Sequence, residues 1–104
     1  MTMDSALQTV EKQFEALGLP PIDWTSPRED FRTVEANAQL RGFEVRIVVE
    51  DWASAPPQYR FVAKIFDEMG RQLTRHNGAP SLEEALQEIN WSPLQEAIEA
   101  HQLR

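Results

Sequence analysis

The sequence predicts a single α+β domain with an N-terminal helix, a four-stranded antiparallel sheet and two C-terminal helices. Three observations support this fold class. A chain of 104 residues suits one modest core, apolar residues repeat at helical spacing near both ends of the chain, and they alternate with polar residues in its middle. The expected order of elements is α-β-β-β-β-α-α, in one domain that spans residues 1–104.

The first element, residues 1–19, has apolar side chains at alternating spacings of four and three, which places them on one stripe of a helix. These residues are Met3, Leu7, Val10, Phe14 and Leu17. Asp4 or Ser5 can cap the start, and Gly18 followed by two prolines ends the helix. The stripe is expected to pack on the chain's own domain, and the alternative is a seam for a partner helix.

Residues 20–30 are predicted to form a proline-rich connector that contains Trp24. Residues 27–40 could form a helix, because residues 26–29 have the pattern of a capping box. A β-hairpin with a two-residue turn at 41–42 is the preferred interpretation, since it places four apolar pairs on one face. The pairs are Leu40 with Phe43, Ala38 with Val45, Ala36 with Ile47, and Val34 with Val49.

The remaining strands are expected at residues 59–66 and 71–76, which together with the hairpin form a β-meander over residues 31–76. The loop 53–57 contains a proline pair, which a central strand does not tolerate. The segment after this loop alternates apolar and polar side chains, as a strand does. The fourth strand is short and polar, which suits an edge of the sheet, and Gly70 lies in the turn before it.

Residues 81–103 are predicted to form two helices. Ser81 followed by Glu84 has the spacing of a capping box, and Ser92 with Pro93 is a second start signal. Apolar side chains at helical spacing are expected to face the sheet. They are Leu82, Ala85, Leu86, Ile89, Leu94, Ala97 and Ile98.

The chain is acidic, but its charge is unevenly distributed. Ten Lys and Arg against 17 Asp and Glu give a formal charge of −7, which argues against a protein that coats DNA or anionic membranes. Residues 1–40 carry three basic and seven acidic side chains, residues 41–76 carry six and five, and residues 77–104 carry one and five. The segment of the predicted sheet therefore carries a net charge of +1, and the two segments that flank it carry a net charge of −4 each.

The sequence contains no recognisable catalytic or metal-binding pattern. It has no cysteine, and its two histidines, His76 and His101, have no second ligand at zinc-site spacing. It has neither a nucleophile motif nor a glycine-rich phosphate loop. We therefore expect a protein that is not an enzyme and that holds neither a cofactor nor a metal. The lack of cysteine favours the cytoplasm, and the short apolar runs predict neither a signal peptide nor a membrane span.

The second face of the predicted sheet is the candidate interaction surface. If the helices cover the face that carries Val34, Val45 and Ile65, the opposite face presents apolar side chains among cations. The candidate residues are Arg46, Val48, Arg60, Val62, Lys64 and Phe66. The alternative is that the connector with Trp24, or one of the helices, covers the apolar members of this set.

Binding is the function expected from this surface. We expect a non-catalytic adaptor or regulatory module that binds a protein partner through the sheet face or the first helix. The alternative is a regulator of nucleic-acid machinery, which either binds through the sheet arginines or mimics nucleic acid with its acidic helices. A homodimer is compatible with both functions.

Three partial resemblances accompany this interpretation. A helix, three strands and a closing helix resemble, in order, the double-stranded-RNA-binding fold, but that family begins its final helix with lysines, whereas residues 81–84 carry two glutamates. Residues 78–89, GAPSLEEALQEI, are similar to small antitoxin and adaptor domains. The LGLPP at the end of the first helix is similar to bacterial secretion chaperones. These resemblances do not identify one family.

Overall fold

Three helices lie against one face of a five-stranded antiparallel sheet in the computed structural model, which describes residues 1–103. The helices are α1 (Met3–Ala16), α2 (Leu82–Glu88) and α3 (Ser92–Gln102). The strands are β1 (Asp23–Glu29), β2 (Thr33–Leu40), β3 (Phe43–Asp51), β4 (Phe61–Asp67) and β5 (Gln72–Ala79). They lie side by side in chain order, so β1 and β5 are the edges. The α+β class is confirmed, and Arg104 of the predicted domain lies outside the described residues.

The prediction of four strands is wrong, because the segment interpreted as a proline-rich connector contains β1. This strand pairs antiparallel with β2, but its register shifts between Thr25 and Arg28. Ser26 has a positive φ of 49°, and Pro27 follows it. Proline interrupts a strand pattern in sequence, but an edge strand tolerates it at a bulge, where no outer neighbour requires its missing N–H.

The β2–β3 hairpin has the predicted register. The four apolar pairs expected from the sequence are Cα partners: Leu40 with Phe43, Ala38 with Val45, Ala36 with Ile47, and Val34 with Val49. Arg41 and Gly42 have φ values of 53° and 83°, as a two-residue type I′ turn requires. The alternative helix at 27–40 is therefore wrong.

The last two strands differ from the prediction at their ends. β4 begins at Phe61, and Tyr59 lies before it in a 3-10 turn, Pro57–Tyr59. β5 is an edge strand as expected, but it extends beyond the predicted segment to Ala79. Near its end Gly78 lies directly against the backbone of Tyr59, so this strand and the turn before β4 are in close contact.

Helix α1 packs on the chain's own core, as predicted, but its buried face differs from the expected stripe. Ala6, Val10 and Phe14 are fully buried, whereas Leu17 is 37% exposed. The hydroxyl of Thr2, rather than Asp4 or Ser5, caps the helix by accepting a hydrogen bond from the Ser5 N–H at 3.2 Å. The apolar side of α1 is therefore directed inward.

The core lies between the three helices and the inward face of the sheet. Its largest fully buried side chains are Phe14, Leu40, Ile65, Leu86, Leu94, Val10, Val34, Val45 and Val49. The Phe14 ring packs edge-on against Trp91, with 5.3 Å between the ring centroids. The Trp91 indole N–H donates to the carbonyl oxygen of Leu86 at 2.8 Å, so this ring connects α1 to the segment between α2 and α3.

The start of α2 confirms the predicted capping box. The Ser81 hydroxyl accepts a hydrogen bond from the Glu84 N–H at 3.1 Å, which satisfies one of the free donors of the first helical turn. Pro93 stands in the first turn of α3, as predicted. No helix formed by residues 1–103 has the length and apolarity needed to cross a bilayer.

Candidate functional site

The sheet has a second face, opposite the three helices, which we call the helix-free face. It consists of the outward side chains of the strands, including Glu35, Asn37, Glu44, Arg46, Val48, Glu50, Val62, Lys64, Phe66 and Arg75. The cluster of buried side chains that the helices join contains Val49 and Ile65 but neither Val48 nor Val62. Successive side chains of a strand point to opposite faces, so Val48 and Val62 lie on the face away from the helices.

Five of the six candidate residues lie together on the helix-free face. Arg46 is the Cα partner of Phe66 across β3 and β4, and Val48 is the partner of Lys64. The Arg46 guanidinium carbon lies 4.8 Å from the centre of the Phe66 ring, which is the geometry of a cation–π contact. Val62 lies on β4 together with Lys64 and Phe66, so the five side chains are neighbours on one surface.

Arg60 does not join this surface. Its backbone is helical immediately before β4, with φ −64° and ψ −43°, so the alternation of the strand does not extend to it. Its guanidinium donates to both carboxylate oxygens of Asp51, at 2.7 and 3.0 Å. It also lies 5.0 Å from the centre of the Phe61 ring, which packs against the core. Arg60 therefore closes the β3–β4 loop at the end of the sheet.

The apolar part of the helix-free face is covered by its own charged side chains. Val48 and Val62 are only 8% and 5% exposed. Lys64 forms an ion pair with Glu50 at 2.6 Å, and both side chains are largely buried. Trp24 does not cover these valines, as the alternative interpretation had it. It packs against the core and donates its indole N–H to Glu11 at 2.6 Å.

Two arginines on this face have no carboxylate partner in the described part of the chain. The guanidinium of Arg28 pairs with Glu35 at 2.5 Å, but within residues 1–103 neither Arg46 nor Arg75 has a carboxylate oxygen within 4 Å. The Nε atom of Arg46 is buried and has no hydrogen-bond partner among residues 1–103. A buried donor without an acceptor costs free energy, and this atom can be reached by another molecule only if the side chain moves.

One end of the sheet carries exposed aromatic side chains that are not among the six candidate residues. Phe31, Trp52 and Tyr59 are 89%, 42% and 56% exposed. The Arg32 guanidinium lies 5.5 Å from the ring centre of Phe31 and 5.7 Å from that of Trp52. The available signal was their position at the borders of predicted strands, where alternation does not determine which way a side chain points.

The carboxyl groups of Asp51 and Asp67 have lowered pKa values with structural causes. The hydrogen bond from the Arg60 guanidinium lowers the pKa of Asp51, and burial opposes this effect. The backbone N–H of Arg71, and after it that of Met69, lowers the pKa of Asp67, with both bonds at 2.9 Å. Both carboxylates stabilise turns of the backbone.

The two histidines have local partners. His76 Nε2 lies 2.8 Å from a carboxylate oxygen of Glu88, and its Nδ1 accepts from the Gly78 N–H at 3.2 Å. The His101 ring packs beside Phe43, with 5.6 Å between the centroids. In the described part of the chain, no three side chains of His, Asp or Glu are gathered as they would be around a metal ion.

The groups of the helix-free face suit recognition of another molecule. Guanidinium groups donate to carboxylate or carbonyl oxygens, and an aromatic ring under an arginine adds apolar contact area.

Comparison of the chain with protein-family models, with curated protein sequences and with solved structures gives no match.

Proposed function

We propose that this protein is a non-catalytic adaptor or regulatory module that binds a protein partner through the helix-free face. The observation that carries the proposal is the Arg46–Phe66 pair on that face, in which the Arg46 guanidinium has no carboxylate oxygen within 4 Å among residues 1–103. Arginine and aromatic side chains are enriched among the residues that contribute most to protein binding. A partner carbonyl or carboxylate would accept hydrogen bonds from this guanidinium.

The structure of α1 favours the sheet face over the first helix as the binding surface. Binding through α1 would require its apolar side to be available, but Val10 and Phe14 on that side are in the core. Exposing them would open the domain, since these side chains connect α1 to the sheet and to Trp91. The helix-free face can be contacted without any such rearrangement.

The polarity of the face favours a partner other than a second copy of the chain. Permanent homodimers bury large and mostly apolar surfaces. Here the valines lie under an ion pair, and Phe66 lies under a guanidinium. A separate partner that binds reversibly is the better fit. We propose that this binding occurs in the cytoplasm, and the lack of cysteine is consistent with that compartment.

The double variant Arg46→Glu with Phe66→Ser is expected to bind its partner at least about tenfold more weakly than the natural chain. The measurement is affinity capture from native lysate with each protein at equal concentration, followed by quantitative mass spectrometry. Val62 is left unchanged, because it is 5% exposed and a charge there would disturb folding.

A matched control for this experiment is Lys12→Glu with Leu17→Ser, which makes similar changes at exposed positions of α1. The control should capture the same proteins as the natural chain, and both variants should retain a cooperative melting transition. Equal capture by the helix-free-face variant and the control would contradict the proposal.

A second candidate function is regulation of nucleic-acid machinery. The cations of the helix-free face favour direct binding, whereas the acidic segments 1–40 and 77–104 favour a mimic that occupies a nucleic-acid site on another protein. Three carboxylates share the face with the cations, and we therefore expect no mobility shift of single- or double-stranded RNA or DNA at roughly 50 mM salt. A shift that weakens steeply as salt rises would instead support direct binding.

A further inference from the structure

A shallow groove lies at one end of the helix-free face, between the β3–β4 loop and β5. Trp52 and Tyr59 stand on the loop side, Val62 and Lys64 come from β4, and Arg75 comes from β5. This position is distinct from the Arg46–Phe66 pair: Phe66 is four residues along β4 from Val62, which corresponds to about 13 Å. The groove therefore provides a second contact point on the same face.

The loop wall of the groove is held in place by hydrogen bonds. The backbone N–H of Trp52 donates to the carbonyl oxygen of Arg60 at 2.8 Å, and the backbone N–H of Tyr59 donates to the carbonyl oxygen of Pro56 at 2.8 Å. The paired hydrogen bonds from Arg60 to Asp51 close the base of the loop. A wall that is ordered before binding lowers the entropic cost of association.

Contact with β5 holds Tyr59 in place from the other side. A Cβ atom at Gly78 would lie 2.7 Å from the carbonyl oxygen of Tyr59 and 2.8 Å from its Cα. Only glycine allows the two backbones to approach this closely. The Tyr59 turn therefore rests directly on β5.

The shape and exposure of the groove suit one bulky apolar side chain. Trp52 and Tyr59 remain 42% and 56% exposed, although their backbones are fixed. Val62 lines the same groove and is 5% exposed. Exposed aromatic rings beside a largely buried aliphatic side chain are a common arrangement for holding an apolar residue of an extended peptide.

The charges of the groove suit a carboxylate next to that apolar residue. Lys64 is neutralised by Glu50 at 2.6 Å. Arg75 is exposed and has no carboxylate within 4 Å among residues 1–103. The net charge of −7 repels anions but is largely screened beyond about 8 Å at physiological salt, so this free cation on the rim can pair with a single negative group.

We propose that the groove binds an acidic peptide segment of the protein partner, with an apolar side chain between Trp52 and Tyr59 and an Asp or Glu carboxylate paired with Arg75. The proposal rests on the proposed function, because the groove is part of the helix-free face. It specifies the chemistry of the partner, which the Arg46–Phe66 pair does not define.

The test is an NMR titration of the isotope-labelled full chain with three blocked peptides: acetyl-Glu-Phe-Glu-amide, its Gln-Phe-Gln analogue and its Glu-Ala-Glu analogue. The first peptide should produce saturable shifts at the Trp52 indole and the Val62 methyl groups. The other two should bind about fivefold or more weakly, since each lacks one of the two complementary groups.

Variants of the chain test the role of the rim cation. Arg75→Gln should weaken binding of the first peptide by about fivefold or more, whereas Lys12→Gln, which removes the same charge from an exposed site on α1, should leave it unchanged. Both side chains are exposed, and both variants are therefore expected to fold.

Several results would overturn the proposal. The first is that the acidic peptide gives no saturable shift up to roughly 10 mM. The second is that the acidic and neutral peptides bind equally, and the third is that the shifts map away from Trp52 and Val62. The fourth is that an oligothymidylate shifts these signals when the peptide does not. None of them affects capture of a partner that depends on Arg46 and Phe66. Failure of the groove and failure of the proposed function are thus distinguishable.

Discussion

Replacing Phe14 with alanine is expected to lower the free energy of unfolding by about 3–5 kcal/mol. The side chain is 1% exposed and packs edge-on against Trp91. Its removal leaves a cavity between α1 and the segment that connects α2 to α3, where the Trp91 N–H is already bonded to Leu86 and limits collapse. Urea denaturation followed by tryptophan fluorescence measures the loss.

The control for Phe14 is Leu17→Ala at the end of the same helix. Leu17 is 37% exposed, so its truncation should cost only a few tenths of a kcal/mol, about 0.5 at most. If the alanine variant of Phe14 is too unstable to measure, Phe14→Leu should still show a loss of about 1 kcal/mol. Equal effects at the two positions would mean that α1 is not held by its inward face.

Replacing Gly78 with alanine is expected to destabilise the domain by about 1–3 kcal/mol. The new Cβ would meet three atoms of Tyr59 within 3 Å, two of them in the backbone, which cannot rotate away. The φ of Gly78, 148°, is also one that other residues rarely adopt. Relief requires that β5 and the Tyr59 turn separate, which would also alter the loop wall of the groove.

The control for Gly78 is Gly18→Ala. Gly18 also has a positive φ, 70°, but nothing lies within 4 Å of the position its Cβ would take. This variant should therefore cost only the backbone preference, about 1 kcal/mol. Thermal unfolding measures both variants, and the NMR signal of the Trp52 indole should move with the change at Gly78 alone. Equal losses without movement of that signal would contradict the close packing of Tyr59 on β5.

Local patterns in the sequence predict much of the fold. The register of the β2–β3 hairpin follows from alternation and from a turn that has Gly42 at a position of positive φ. The start of α2 follows from Ser81 and Glu84, whose interaction spans three residues. These features depend on neighbours along the chain, so they could be derived before any tertiary contact was known.

Strand β1 was missed because its evidence is not local. Pro27 and the bulge before Arg28 remove the alternation that identifies a strand. The strand exists because β2 offers it an open edge, and that edge appears only when the sheet is assembled. Leu17 is a similar case, since it continues the apolar spacing of α1 but is 37% exposed in the folded domain.

The sequence by itself determined the composition of the helix-free face, because alternation places Arg46, Val62 and Phe66 on one side of any strand pair. Only the tertiary structure decided how that face is presented: the valines are covered by the Lys64–Glu50 pair, and Arg60 turns to Asp51. The groove was likewise invisible in the sequence. It is formed by segments distant along the chain that meet at Gly78, and such contacts leave no periodic signal.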